Sequence, residues 1–106
     1  MLGRGTLEQE RIEIEVAQGI ELNQIETVVR DALRQAAAEG VVPEKLADET
    51  EIERGQQGIA DPFTAAIIVF GPVAAAIARD VWVRYIRPRL DARYGNGAVR
   101  ERPRRT

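Results

Sequence analysis

From Pro62 to Ala78 the chain runs for 17 residues without a charged side chain, although 30% of its 106 residues are Asp, Glu, Lys or Arg. So long an apolar run has to be hidden from water, in a core, against a partner or in lipid. Placed on a helix at about 100° per residue, Phe63, Ile67, Phe70, Ala74, Ile77 and Val81 recur at spacings of 4, 3, 4, 3 and 4 and make a heptad seam. The opposite side carries Thr64, Gly71, Ala75 and Ala78, all small. Gly71 and Ala75 stand in the small-x-x-x-small arrangement that admits another backbone. Asp61 before Pro62 marks a helix start, and Gly71-Pro72 predicts a bend near the middle. The expectation is one long kinked helix over 62–94, with Phe63, Thr64, Ile67, Phe70, Gly71, Ala75, Ile77 and Ala78 as interface residues.

Beyond Ala78 the pattern becomes amphipathic. Asp80, Arg84, Arg87 and Asp91 share one stripe, with oppositely charged residues four apart, while Trp82, Tyr85, Ile86 and Leu90 lie away from it. Pro88 predicts a second bend, and Tyr94-Gly95-Asn96-Gly97 ends the helix. An apolar run followed by Arg79, Trp82, Arg84, Tyr85, Arg87 and Arg89 also has the layout of a membrane span at its cytoplasmic edge, so these six are candidates for a lipid or anion contact. In that alternative, residues 62–78 form a short span, at the lower end of the roughly 20 residues usual for a bilayer.

The first half reads differently. Arg11 to Val16 alternate strictly, Ile12, Ile14 and Val16 against Arg11, Glu13 and Glu15, which is a half-buried strand with a wet acidic face. From Leu22 the spacing of Leu22, Ile25, Val29, Ala32 and Ala36 predicts an amphipathic helix, capped by Asn23 with Glu26 and closed by Gly40. Thr50 to Glu53 reads as a brief strand with Ile52 inward, expected to pair with the first strand beneath the helix. Gly55-Gln56-Gln57-Gly58 is a joint and lacks the Lys and Ser or Thr of a phosphate loop. The fold class is therefore α+β: a small two-layer domain in the order strand-helix-strand-helix. It divides into an acidic region 1–61, the kinked helix 62–94 and a disordered basic tail 95–106.

The chain is a charge dipole. Residues 1–61 carry 6 basic and 14 acidic groups, whereas 62–106 carry 9 basic groups, all Arg, and 3 acidic ones. Such an Arg-rich end suits phosphates, anionic lipid or an acidic protein surface. Nucleic acid is disfavoured by the net charge of -2 and the absence of a reading motif.

Chemistry is constrained by what is missing: there is no Cys, His or Ser, and one Lys, Lys45. That removes hydroxyl and thiol triads, an imidazole base and soft metal ligands. The expectation is no enzyme, no catalytic or metal-binding residue, no cofactor and no small-molecule substrate. The only enzymatic version left is carboxylate metal binding in the acidic half. The absence of Cys, and an N-terminus without a secretory pattern, predict a cytoplasmic protein, membrane-associated in the alternative reading.

The layout of RIEIEV, IETVVRDALRQAAAEG and AIIVFGPVAAAIARDVWVRYIRPRL resembles the small constant components encoded beside effector modules in actinobacterial conflict systems, over roughly residues 11–90. The resemblance implies a non-catalytic accessory coupled to an effector, and it also implies a C-terminal strand pair that the sequence does not display. Residue pattern and resemblance together predict an adaptor acting through helix association with itself or with an effector partner.

Overall fold

The computed structural model describes residues 9–55 and 63–102. The chain folds as an α+β domain whose four strands form one antiparallel sheet in the order β2-β3-β1-β4. Strand β1 (Gln9–Ala17) follows its alternation, with Ile12, Ile14 and Val16 buried and Arg11 and Glu13 exposed. Helix α1 (Leu22–Ala38) buries Ile25, Val28, Val29, Ala32, Leu33 and Ala36 against the sheet. Its N-terminal box forms two residues earlier than Asn23 and Glu26, since the Glu21 N–H donates to the Gln24 side-chain oxygen at 3.2 Å. Asn23 lies inside the first turn, where its carbonyl accepts from the Thr27 hydroxyl.

After a short helix α2 (Leu46–Glu49), strand β2 (Glu51–Arg54) forms one edge of the sheet. Ile52 packs against the core as expected, but β2 does not pair with β1, because β3 lies between them. The open side of β2 is closed by α1. The Ile52 N–H donates to the Glu26 carboxylate at 3.2 Å, and the Arg30 guanidinium donates to the Thr50 carbonyl at 3.3 Å. Occupying these groups removes a template for edge-to-edge pairing.

The main correction concerns the apolar run. Phe63–Pro72 is strand β3, not the first half of a helix. It pairs with β1 from Phe63 to Pro72 and with β2 over Ala66–Val69, so it is an interior strand. Interior strands read as nearly unbroken apolar stretches because both edges and much of both faces are hidden. The heptad seam dissolves, since successive side chains of a strand point to opposite faces. Thr64, Ala66, Ile68 and Phe70 share the face of Ile12, Ile14 and Val16, and Phe63, Ala65, Ile67 and Val69 lie on the other. Gly71-Pro72 ends the strand instead of bending a helix, and a bulge sits opposite Glu10.

The C-terminal helix starts only at Ala75. It runs through α3 (Ala75–Val81), a π-helical turn (Trp82–Ile86) and α4 (Arg87–Tyr94), 20 residues in succession. The bend expected at Pro88 takes the form of this π turn. The Arg87 N–H reaches five residues back to the Trp82 carbonyl, and the widened turn accommodates the ring of Pro88. The expected stripe is correct, because Trp82, Tyr85, Ile86 and Leu90 are buried and Arg84 and Arg87 are exposed.

Two further expectations are overturned. Among the described residues no helix is long and apolar enough to cross a membrane, and the central part of 62–78 is sheet. The segment 95–106 is not wholly a tail, since Val99–Glu101 is strand β4, paired with Ile14–Val16 of β1. The Asp61-Pro62 cap, residues 56–58 of the joint and residues 103–106 lie outside the described residues. One apolar cluster joins the sheet, α1 and the C-terminal helix, with Trp82 and Phe70 its largest fully buried side chains.

Candidate functional site

The eight residues expected to form one interface are divided by the sheet. Phe70 is fully buried among the helices, and Ala78 is buried under α3. Thr64 shares the helix-facing side of β3, whereas Ile67 and Phe63 are half-buried on the opposite face. There the Arg100 guanidinium lies over the Phe63 ring at 4.1 Å and donates from Nε to Glu15 at 2.8 Å. Gly71 faces α2: a Cβ built on it would stand 2.6 Å from the Cβ of Glu49, and its N–H donates to the Thr50 hydroxyl at 3.2 Å.

What remains exposed from that set is Ala75 and Ile77, and the structure gives them neighbours that spacing did not. Pro72, Ala74, Ala75, Ala76 and Ile77 are all exposed, with only Val73 tucked in, and they form an apolar corner where β3 turns into α3. Beside it a groove of about 380 Å³ runs between Glu10, Arg11 and Ile12 of β1 and Ala75, Ala76, Ala78 and Arg79 of α3. The sequence places Ala74 on the seam and Pro72 at a bend, and gives no sign of Ala76 or of the β1 side of this groove.

The six residues proposed as a lipid or anion contact do not form one surface. Trp82 is fully buried and Tyr85 nearly so, which removes the aromatic half of a headgroup contact. The Tyr85 hydroxyl instead donates to Glu39 at 2.5 Å, and Glu39 also accepts from Gln35. The hydrogen bond from Tyr85, and then the one from Gln35, hold the Glu39 carboxyl below its ordinary value. The same bond to Glu39 raises the Tyr85 phenol, with burial adding to the effect. Arg89 donates to Gln35, and Arg84 pairs with Asp80 at 3.3 Å.

Arg79 makes a fork-to-fork pair with Glu101, at 2.6 and 2.8 Å. The Arg79 hydrogen bonds hold Glu101 below the ordinary carboxylate range, and the same bonds raise Arg79. The buried Trp82 indole N–H lies near this carboxylate. Arg79, Arg84 and Arg89 are thus engaged within the fold, while Arg87 stands exposed on α4.

For the acidic half, no group of three carboxylates with the geometry to hold a metal ion occurs among the described residues. Glu15 is buried between Arg100 and Arg102, and Glu26 is spent on the β2 edge. The arrangement places charged groups in pairs and, among the described residues, leaves a run of exposed apolar residues at the Pro72–Ile77 corner, with Val83 exposed separately on the C-terminal helix. Comparison with known proteins finds no matching family model, no matching curated protein and no matching solved structure.

Proposed function

We propose that the protein is a non-catalytic accessory that associates through the Pro72–Ile77 corner, with an effector partner or with a second copy of itself. The observation that carries this reading is the corner: Pro72, Ala74, Ala75, Ala76 and Ile77 stay exposed although the core of the same domain is closed. Contiguous exposed apolar surface on a small domain marks an association site more often than scattered apolar residues do. The adjoining groove adds concavity, and its alanines let another backbone approach. The resemblance of the sequence to accessory components of conflict systems points to an effector as the partner class, and the cysteine-free chain suits the cytoplasm.

The test is sedimentation of the chain alone and mixed with any effector-type domains encoded beside its gene, for the wild type and Ala76→Arg. Ala76 is exposed and Arg is nearly as good a helix former, so the substitution leaves the fold intact. A complex or dimer that Ala76→Arg abolishes supports the proposal. A chain that is monomeric and ignores every one of those effectors, or a complex indifferent to Ala76→Arg, ends it.

A further inference from the structure

Strand β4 is held to β1 in a different way from the rest of the sheet. It is three residues long, and only Val99 is buried in the core. Its other anchors are charged: Glu101 to Arg79 at 2.6 Å, Arg100 to Glu15 at 2.8 Å and Arg102 to Glu15 at 3.9 Å. The arginine side chains are between a third and about half exposed, so salt screens these pairs. The strand is reached through Gly95 and Gly97, whose φ values of 99° and 85° lie in the left-handed region that glycine enters freely. By contrast, β3 grips β1 from Phe63 to Pro72 with buried aliphatic side chains.

We propose that β4 is a releasable strap: it lifts from β1 on the Gly95–Gly97 hinge while the β2-β3-β1 sheet stays folded. The Ala17 N–H donates to the Ala98 carbonyl at 2.7 Å and the Glu13 carbonyl accepts from Arg102 at 2.8 Å, so the odd residues of β1 turn their backbone groups to the strap. Release frees those of Glu13, Glu15 and Ala17 as an open edge and returns Glu15 to water. If the accessory reading above holds, this is the edge on which an extended segment of the effector adds as a strand. The release itself does not depend on that reading.

Amide hydrogen exchange, read residue by residue by NMR on the full chain, tests it. Glu15, Ala17, Arg100 and Arg102 report the strap, and Ile12, Ile14 and Val16, whose backbone groups face β3, report the sheet. The strap amides exchange faster than the sheet amides. They accelerate by about fivefold more in Glu101→Gln, and also on going from about 0.05 M to about 0.5 M sodium chloride, while the sheet amides do not change. Strap amides that exchange at the rate of Ile12, Ile14 and Val16, or that ignore both salt and Glu101→Gln, overturn the proposal. Failure of effector binding with this exchange pattern intact would count against the accessory reading alone.

Discussion

Replacing Gly71 with Ala separates two accounts of the apolar run by the sign of the effect. In the interior of a helix, Gly→Ala would stabilise the chain by about 0.5–1 kcal/mol, because glycine has more backbone freedom to lose. In β3 the new Cβ would stand 2.6 Å from the Glu49 Cβ and 3.2 Å from a Leu46 methyl. Carbon atoms settle at about 3.5–4.0 Å, so α2 has to move by about 1 Å, and the Glu49 Cβ is no flexible tip that can swing away. The shift drags Leu46, 1% exposed, out of its packing. It also stretches the bond from the Gly71 N–H to the Thr50 hydroxyl. Overpacking of this kind costs about 1–3 kcal/mol. At about 4–8 °C per kcal/mol for a domain of this size, Gly71→Ala lowers Tm by roughly 5–20 °C in a circular-dichroism melt. Gly19→Ala is the control, with φ of 92° and no atom within 4 Å of the added carbon, so its cost of about 1 kcal/mol is conformational only. An unchanged or raised Tm for Gly71→Ala would refute the packing of β3 against α2.

Other perturbations follow from the same contacts. Thr50→Val keeps the shape but removes the acceptor for the buried Gly71 N–H and the donor to the Leu46 carbonyl, and is expected to cost about 1–3 kcal/mol by urea titration, with Thr50→Ser much milder. Leu90→Ala, which empties the underside of α4, should cost about 2–5 kcal/mol in the same assay. Glu39 and Glu101 have folded pKa values below their unfolded ones, so their contribution is present above the ordinary carboxylate range and is lost as pH falls through the depressed values. Tyr85 is raised, so its contribution holds below the ordinary phenol range and is lost as pH climbs through the raised value; Tyr85→Phe flattens stability at that end and, through Glu39, at the acid end. A stability profile of Tyr85→Phe that parallels the wild type across pH would contradict this.

The elements legible in the sequence were those whose pattern comes from one buried face. Ile12, Ile14 and Val16 sit on a sheet with one wet side, and α1 packs one stripe, so periods of 2 and 3.6 were both visible. The Asp80, Arg84 and Arg87 stripe survived the π turn for the same reason. β3 was misread because an interior strand hides on both sides and shows no period; Phe63, Ile67 and Phe70 match a heptad by coincidence of spacing. Its β-branched and aromatic richness from Phe63 to Phe70 was the usable signal. β4 escaped notice because its anchors are charges supplied from residues 15 and 79, which no local pattern announces. The candidate corner was half legible. Ile77 is legible as part of a helix seam and Ala75 as part of the small face opposite it, while the reason they are exposed, a strand ending at Pro72, depends on where the sheet stops.

The position of every candidate residue follows from Phe63–Pro72 lying between β1 and β2. The most direct measurement is therefore the pattern of backbone proton contacts across that strand by NMR. Glu13 and Ile67 face each other in a non-hydrogen-bonded pair, where the backbones come to about 4.5 Å, so their α protons should give a strong cross-peak, with another between Arg11 and Val69. Finding both places the strand where the account needs it. Contacts between residues three apart along 63–72, with no cross-peak to Glu13 or Arg11, would mean a helix there and would remove the corner, the groove and the strap together.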